Sequence, residues 1–566
     1  MTGISALLIE HLNLWTSAIA GKSTAGRGRS KKFSLHGIDK LRALILDLAV
    51  RGKLFPQDPA DEPASEFLEN LGFAAKPNVM SCPLGWAMAP LTAFGEFFGG
   101  VTPSKGKESY WGPGLPWVSP KDMGVERIQE TEDEVTEQAL KETGLKEIPP
   151  GSLLMVARSG ILRRKFPVAI NEVRCTTNQD MKSLVLKSNV EPRYLQIMLI
   201  GHQPRILKDL VKRGMTVESL IFDEFTKALW PIPPLREQKR IIAKVDELMA
   251  LCERLEAGTY KAIEAHQLLV TELLATLKAS RDAKELADNW ARIEAHFDTL
   301  FVTEDSVDEL KQTILQLAVM GRLVPQDPKD EPASELLKKV KVEKAKLVLR
   351  RMINKPKLLP SIEDNEKPFT LPKGWMWARF PEVGIFERGK SRHRPRDDPK
   401  LFNPGLYPLV QTGEVARANE IINEFHSEYS EEGLEQSKMW PKGTMCITIA
   451  ANIADTAILG FDACFPDSVV GFIPFAPISN PRFFLHFMKT AKADLLRFAP
   501  STAQKNINLS ILESVLVPIP PLEEMERIVG KIDELSAYCN SLKASIRESG
   551  ATSLTLADAI VAKAVG

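Results

Sequence analysis

The chain has 566 residues, of which 44% are hydrophobic and 26% charged, the composition of an ordinary globular protein. Lys and Arg total 73, as do Asp and Glu, so a globally basic nucleic-acid-binding tail is excluded, although a locally basic face is not. The six cysteines form no CxxC pair and the eight histidines no HExxH motif, which argues against a disulfide framework and against a metal site.

The apolar segments are too short or too interrupted for export or membrane insertion. Residues 1–21 are apolar in patches, but Glu10 and His11 interrupt them and no basic stretch precedes them, unlike in a signal peptide. The longest apolar run, Val469–Ile478, contains Pro474, whereas about 20 apolar residues are needed to span a bilayer. We therefore expect a cytoplasmic protein with no membrane partner.

Two long segments occur twice in the chain. Residues 41–68 and 310–337 are identical at 19 of 28 positions, and both contain PQDP. Residues 231–255 and 518–542 both begin with PIPPL and are identical at 15 of 25 positions. The segments between them, each opened by Gly-Trp, share little else. Since drift alone would not spare the connectors, we expect a shared scaffold role for the connectors and separate recognition roles for the domains between them.

The repeat predicts six parts. They are an N-terminal extension (1–34), a helical PQDP segment (35–85), a first variable domain (86–230), a central helical spacer (231–374), a second variable domain (375–517) and a C-terminal helix (518–566).

The connectors show helical periodicity. In the first copy the apolar stripe ends at Gly52, and in the second, Ser306 and Glu309 predict a capping box while Gly321 predicts the end. After the first PIPPL, a long amphipathic helix is predicted, with breaks near Gly258 and Ser280. The stripes are Leu41, Leu44, Ile45 and Leu48; Leu310, Ile314 and Leu317; and Arg240, Ile241, Val245, Leu248, Cys252 and Leu255, continuing to about Leu300.

The variable domains show a different pattern, in which short β-rich runs alternate with Gly and Pro turns. The fold class predicted is therefore α+β: two mixed α/β globular domains joined by long helices, with an internal repeat. The predicted strands are Ser152–Ala157, Ser183–Leu186, Thr444–Ala450 and Ser468–Ile473, and the predicted helices are Pro192–Leu210 and Pro481–Phe498.

We find no enzyme motif in the sequence that fits its context. Residues 384–391 match the P-loop pattern GxxxxGKS, but two prolines follow and no apolar stripe predicts the helix that must bind phosphate. The tetrapeptides of adenine methyltransferases, Asn-Pro-Pro-Tyr and Asp-Pro-Pro-Tyr, do not occur, nor does GxSxG. We expect no catalytic residue, no metal and no cofactor on this chain.

Basic and amide-bearing loops are the candidates for nucleic-acid contact. Residues 151–230 carry 13 Lys and Arg against 7 Asp and Glu, and residues 388–396 are dense in cations. Cations neutralise phosphates, while Asn, Gln, Ser and Arg can contact base edges, although a surface charge run is often merely solvated. The candidates are Thr102, Ser104, Lys105, Trp117, Ser119, Lys121, Arg158, Arg163, Arg164, Lys165, Thr177, Asn178, Gln179, Lys212, Arg213, Arg388, Lys390, Ser391, Arg392, His393, Arg394, Gln411, Thr412, Asn452, Thr502, Gln504, Lys505 and Asn506.

Taken together, these features resemble the specificity subunit of type I restriction–modification enzymes. The resemblance rests on the doubled PIPPL and PQDP segments, the two Gly-Trp openings, and two further segments, Gly99–Ser104 with Leu115–Asp122, and Gly405–Gly413. It covers residues 35–566.

The resemblance implies that each variable domain is a target recognition domain for one half of an interrupted double-stranded DNA sequence. It also implies that the repeated helices pair antiparallel, as in a coiled coil around a pseudo-twofold axis, and set the distance between the domains. Two modification subunits would supply S-adenosylmethionine-dependent adenine methylation, and two restriction subunits would supply ATP- and Mg-dependent translocation and cleavage. The alternatives are a helical scaffold with two domains that bind other ligands, and an NTPase that uses Lys390.

Overall fold

The computed structural model of the protein describes residues 10–21, 33–74, 82–215, 217–355, 359–451, 453–497 and 507–565. The chain divides into two units. Unit 1 comprises residues 1–263 and 548–566, and unit 2 comprises residues 264–547. Each unit combines one variable domain with helices from the repeated segments, which confirms the predicted α+β class with an internal repeat.

The two longest described helices start in the PIPPL segments, and many of the shorter helices lie in the variable domains. They are α1 (Leu12–Ser17), α2 (His36–Val50), α3 (Ala64–Asn70), α4 (Glu137–Glu142), α5 (Pro192–Gly201), α6 (Gln203–Asp209), α7 (Phe222–Lys227), α8 (Leu235–Ala279), α9 (Ala283–Glu294), α10 (Phe297–Leu300), α11 (Glu304–Val319), α12 (Ala333–Leu349), α13 (Phe380–Val383), α14 (Thr412–Arg417), α15 (Glu431–Glu435), α16 (Arg482–Arg497), α17 (Leu509–Ser514) and α18 (Leu522–Val565). No helix of the described residues combines the length and the apolar character needed to cross a membrane.

The strands are short and lie almost entirely in the variable domains. They are β1 (Ala20–Gly21), β2 (Phe33–Ser34), β3 (Ala87–Pro90), β4 (Gly95–Gly99), β5 (Trp111–Val118), β6 (Arg127–Ile128), β7 (Glu134–Val135), β8 (Leu153–Val156), β9 (Arg158–Ser159), β10 (Val168–Asn171), β11 (Thr176–Thr177), β12 (Met181–Leu186), β13 (Val211–Lys212), β14 (Glu218–Leu220), β15 (Leu229–Ile232), β16 (Met376–Arg379), β17 (Gly384–Arg388), β18 (Tyr407–Leu409), β19 (Ile421–Ile422), β20 (Ser427–Tyr429), β21 (Met439–Trp440), β22 (Met445–Thr448), β23 (Thr456–Leu459), β24 (Ala463–Cys464), β25 (Val469–Pro474) and β26 (Leu516–Ile519).

The predicted helices form, but two details of the prediction were wrong. The capping box of α11 pairs Thr303 with Ser306 rather than Ser306 with Glu309, so the helix begins one turn earlier. The long helix α8 continues through Gly258, since one glycine costs a helix only about 1 kcal/mol, and it ends at Ala279, as the break predicted near Ser280 requires.

In each unit a short repeated helix packs antiparallel against the helix that follows PIPPL. In unit 1, α2 runs antiparallel to α8. Phe33, just before α2, packs on Tyr260, whereas Arg42, later in the chain, binds Glu256, which is earlier in α8. In unit 2, α11 is antiparallel to α18, where Arg547 binds Glu304 at 2.6 Å and Lys543 binds Asp308 at 2.7 Å. The last residues of α18 belong to unit 1, where Ala557 is buried in the core, so both long helices contribute residues to both units.

The two variable domains have the same strand topology although their sequences differ. The larger sheet has the order β4-β12-β8-β10-β6 in unit 1 and β17-β25-β22-β23-β19 in unit 2, which is the same order of equivalent strands. A smaller sheet packs beside it, with β11 between β5 and a bridge at Ile148 in one domain, and β24 between β18 and β21 in the other. The repeat therefore extends through both of these sheets, whereas the three-stranded sheet β13-β14-β9 of unit 1 has no counterpart among the described residues of unit 2.

Each variable domain begins and ends in a two-stranded antiparallel ribbon, which is β3 with β15 in unit 1 and β16 with β26 in unit 2. The opening Gly-Trp immediately precedes the first strand of each ribbon, and PIPPL provides the end of the second strand and the start of the following helix. The chain therefore enters and leaves each domain at adjacent points, as expected for the proline-rich segments.

A buried glutamate joins the three repeated segments in unit 1. The indole nitrogen of Trp86 donates to the carboxylate of Glu237 at 2.9 Å, and the amide of Gln57 in PQDP donates to it at 3.3 Å. One helical turn later, Arg240 forms a bidentate ion pair with Asp61. Burial raises the pKa of Glu237 above that of an exposed glutamate, and the two donors oppose this shift.

The same network is present in unit 2. The indole of Trp375 donates to Glu524 at 3.0 Å, Gln326 donates to the same carboxylate at 3.0 Å, and Arg527 binds Asp330. Burial again raises the pKa of Glu524. The repeated residues are thus the ones that fix each domain on its helices.

The glycine that ends each short repeated helix allows the tryptophan to pack there. Gly52 has φ +64° and Gly321 has φ +68°, the left-handed conformation that favours glycine. A Cβ at Gly52 would lie 3.0 Å from the ring of Trp86, and one at Gly321 would lie 2.9 Å from the ring of Trp375.

A second repeated ion-pair network ties each larger sheet to the long helix. Arg193, at the start of α5, binds Glu126 at 2.7 Å and Asp246 of α8 at 2.6 Å. In unit 2 the equivalent Arg482 binds Glu420 at 3.0 Å and Asp533 of α18 at 2.5 Å.

His486 adjoins the second of these networks and gives Glu420, His486 and Asp533 the composition of a metal site. Arg482 binds both carboxylates and Lys489 also binds Glu420, so the described geometry is that of an ion-pair network.

Part of the N-terminal extension packs on the first repeated helix. Trp15 of α1 is fully buried, and the amide of Gly37 donates to the carbonyl of Ala18 at 3.0 Å. A Cβ at Gly37 would lie 2.4 Å from the Trp15 carbonyl oxygen, so the contact requires glycine.

The tryptophan–glutamate bond predicts a measurable loss of stability. Trp86→Phe and Trp375→Phe keep an aromatic side chain but remove the indole N–H and part of the buried ring system. Each leaves a buried carboxylate with one donor fewer and should destabilise the protein by at least about 2 kcal/mol. The measurement is the urea unfolding midpoint. The control is Trp290→Phe, because Trp290 is 36% exposed, and its effect should stay within about 0.5 kcal/mol. Equal effects of all three substitutions would contradict a special role for the glutamate network.

Candidate nucleic-acid interface

One edge of the larger sheet in unit 1 gathers most of the predicted contact segments. Strands β4 and β8 end there and β12 begins there, since Lys182 pairs with Gly99 and Met181 with Val156. Strands β5 and β11 also end there, because they are parallel neighbours and the amide of Asn178 donates to the carbonyl of Val118 at 2.9 Å. We call this the basic edge of unit 1; its loops are residues 100–110, 119–122, 157–167 and 178–180.

A small three-stranded sheet adds a second group of cations to the basic edge of unit 1. Strand β14 pairs with β9, which directly follows β8, and with β13. In this sheet β14 lies between β13, which holds Lys212, and β9, which holds Arg158 and precedes the 3₁₀ turn Gly160–Arg163. The predicted cations with exposed side chains are Arg158, Arg163, Arg164, Lys165, Lys212 and Arg213.

One of these cations has a structural partner. Arg163 donates to the carboxylate of Glu218 and to the carbonyl of Met215 at 3.3 Å. Glu218 is 3% exposed, so this ion pair anchors the β13–β14 hairpin to the loop after β8.

Four predicted residues of unit 1 are buried beneath the loops. The indole of Trp117 donates to the carbonyl of Val101 at 3.0 Å, and the hydroxyl of Ser119 donates to Asp122 at 2.8 Å. Thr177 and Asn178 are 3% and 7% exposed. These four side chains support the loops from within, and direct contact by them stays a prediction. Ser104, Lys105, Lys121 and Gln179 are exposed and Thr102 is half-buried.

Unit 2 presents the equivalent edge, which we call the basic edge of unit 2. Strand β17 ends there and β25 begins there, with Arg388 opposite Val470. The smaller sheet also ends there, because the amide of Val410 donates to the carbonyl of Cys464 at 2.9 Å. The loop after β17, residues 389–398, corresponds to residues 100–110 of unit 1 and contains no helix.

The residues that match the P-loop pattern form a strand and a loop. The first five residues are strand β17, and the helix that would have to follow Ser391 is absent from residues 392–398. This agrees with the prediction that no helix follows Ser391.

Two residues that the sequence analysis missed hold the loop after β17 in place. The carbonyl of Asp467 accepts from Arg388 at 2.8 Å, and its carboxylate binds Arg396 at 2.9 Å. The side-chain oxygen of Gln436 accepts from the backbone amides of Arg392 and His393 at 2.7 and 3.2 Å. No local pattern marks these partners, since they lie more than 40 residues away in sequence.

The remaining predicted residues of unit 2 divide by position. Arg392 and Arg394 are exposed, Lys390, Ser391 and His393 are half-buried, and His393 binds Asp398 at 2.8 Å. Gln411 is exposed and Thr412 half-buried at the start of α14. Asn452, Thr502, Gln504, Lys505 and Asn506 lie outside the described residues.

A glycine stands at the same point of both edges, directly after the first strand of the larger sheet. A Cβ at Gly100 would lie 1.8 Å from the carbonyl oxygen of Asn178, and one at Gly389 would lie 2.2 Å from that of Phe465. Real Cβ atoms essentially never approach so closely, so both loops require glycine to cross the neighbouring chain.

The family described as "Type I restriction modification DNA specificity domain" matches the chain twice, at residues 83–265 and 372–549. The EcoAI specificity subunit of Escherichia coli is 34% identical, with 99% of this chain and 100% of that protein covered. The EcoEI specificity subunit of Escherichia coli is 32% identical, with 98% and 99% covered. The type I specificity subunit MjaIX of Methanocaldococcus jannaschii is 32% identical over 28% of this chain and 37% of its own length.

The close backbone approaches at Gly100 and Gly389 predict that substitution of either glycine disturbs the loop that follows it. Gly100→Ala and Gly389→Ala should displace the loop that follows, which would raise amide hydrogen exchange in residues 101–110 and 390–398 respectively. The control is Gly106→Ala, because its Cβ would meet a first atom, Ser104 Oγ, at 3.9 Å. Exchange in the loop of the Gly100→Ala protein that matches the control would contradict the prediction.

Proposed function

Because the chain belongs to the family of type I restriction–modification DNA specificity subunits, we propose that each basic edge contacts one half of an interrupted double-stranded DNA target. The chain is the specificity subunit and carries no catalytic step itself. It directs the adenine methylation and the restriction that the partner subunits perform. The observation that carries the proposal is that two domains of different sequence present equivalent loops at the same edge of one topology.

The chemistry of the basic edges fits the DNA backbone and the bases. In unit 1, exposed Arg164, Lys165 and Lys212 are suited to phosphates, and Gln179 is suited to a base edge, since an amide both donates and accepts. In unit 2, Arg392 and Gln411 have the corresponding side chains. Loops held by buried partners such as Glu218 present these groups in a fixed geometry, which sequence-specific contact requires.

The chain works with DNA and with the other subunits of a restriction–modification complex. We propose two modification subunits that bind S-adenosylmethionine and two restriction subunits that use ATP and Mg, and we propose that the complex is cytoplasmic. The scaffold alternative has no specific observation in its favour, and Lys390 lacks the helix that a nucleotide site needs.

The proposed phosphate contacts predict a salt-dependent affinity. Arg164→Ala and Lys390→Ala should each lower the slope of log K against log salt concentration by about one, because one phosphate contact is lost. The control is Lys338→Ala on α12, whose side chain is 70% exposed away from either edge, and it should leave the slope unchanged. Nucleotide binding that Lys390→Ala abolishes would support the NTPase alternative instead.

The shared topology predicts that the domains can be exchanged within the chain. Replacing residues 91–228 by residues 380–515 would insert the second domain between strands of the first ribbon. With the modification partner present, the methylated consensus should then carry the second half-site in both halves. The reciprocal replacement is the matched control and should duplicate the first half-site. A consensus that stays asymmetric would mean that the domains do not act separately.

A further inference from the structure

We propose that Met215, at the tip of the β13–β14 hairpin, enters a groove of the first half-site and makes an apolar contact with its base pairs. This inference rests on the proposed function and adds a specificity-determining residue to it. The contact residues predicted from the sequence in this segment are the cations Lys212 and Arg213, and Met215 is not among them.

The exposure of Met215 is the first observation. Its side chain is 100% exposed, more than that of any other large hydrophobic residue among those the structure describes; Leu349 follows at 85%. Fully exposing a methionine side chain forgoes the roughly 1.5 to 3 kcal/mol that its burial would contribute. An apolar partner outside the chain would account for its position.

The charge around the hairpin identifies the partner. Segments 158–165 and 211–219, which the β9–β14–β13 sheet brings together, contain six cations: Arg158, Arg163, Arg164, Lys165, Lys212 and Arg213. They contain one carboxylate, that of Glu218, which is buried and bound to Arg163. A surface of this charge attracts a polyanion, so the partner that covers Met215 is the duplex rather than an apolar protein surface.

The hairpin has the shape and stiffness that such a contact needs. A two-stranded ribbon fits the major groove of DNA, and apolar side chains can contact the thymine methyl there or unstack a base step from the minor groove. Arg163 bridges the carbonyl of Met215 and the carboxylate of Glu218, which fixes the tip on the loop below. A Cβ at Gly214 would lie 2.1 Å from the carbonyl oxygen of Val217, so the turn requires glycine beside Met215.

The test compares Met215→Ala with Lys212→Ala in the full chain bound to its modification subunit. Binding is measured to a duplex that contains the target sequence identified by methylation and to a duplex of scrambled sequence, at several salt concentrations. Met215→Ala should weaken binding to the target about tenfold, leave binding to the scrambled duplex unchanged and leave the salt slope unchanged. Lys212→Ala should weaken both and lower the slope by about one.

Two further measurements locate the contact. Each base pair of the first half-site is substituted in turn, and Met215→Ala should lose discrimination at one or two adjacent positions while the second half-site stays fully discriminated. Leu84→Ala is the control, because Leu84 is 73% exposed in the same unit but outside the basic edge, and it should change nothing.

The outcomes separate this inference from the proposed function. If wild type prefers the target over the scrambled duplex and Met215→Ala binds the target equally well with unchanged discrimination, the inference is wrong and the proposed function stands. If Met215→Ala weakens both duplexes alike, Met215 supports the hairpin and does not contact bases. If wild type shows no preference, the proposed function itself fails.

Discussion

A buried carboxylate at the entrance of each domain is the constraint on which the other features depend. Glu237 and Glu524 are each 1% exposed, and a carboxylate placed there is tolerated because an indole and a side-chain amide donate to it. The donors come from the Gly-Trp opening and from PQDP, and the acceptor comes from the helix after PIPPL. Loss of a partner from any one segment would leave buried polar groups of the other two without hydrogen bonds. The three segments are therefore constrained together.

This constraint explains how the sequences of the two domains could diverge while each domain stayed attached to its helices in the same way. The glutamate network, the two-stranded ribbon and the arginine that binds the long helix occupy the base of each domain, and all three occur twice. The loops lie at the edge of the larger sheet, and none of the hydrogen bonds of the glutamate network depends on them. Substitutions in the loops can therefore accumulate while the fold and its attachment stay the same.

The sequence predicts the repeated parts of this structure well and the loop geometry poorly. Helix α2, the long helix α8 and strands such as β12 follow from local periodicity and turn residues, which act over a few neighbours. The role of Glu237 does not, because its partner Trp86 lies 151 residues away, although both residues stand in repeated segments. The error at Ser306 has a local cause: threonine and serine both fit the N-cap pattern, and Thr303, three residues earlier, is the residue whose side chain caps the helix.

The roles of the charged residues reflect the same separation between the attached end of each domain and its loops. Several cations that look equivalent in sequence differ in the fold: Arg163 and Arg396 bind carboxylates of their own domain, whereas Arg164 and Lys165 extend from the surface. An arginine already bonded inside the domain contributes rigidity, and an arginine in water contributes attraction for phosphate. A chain with zero net charge can therefore present locally basic segments, because cations outnumber carboxylates there and some carboxylates, such as those of Glu218 and Asp467, act as anchors. Such anchors bear on specificity because they fix the loops, and sequences are distinguished by contacts to base edges rather than to phosphates.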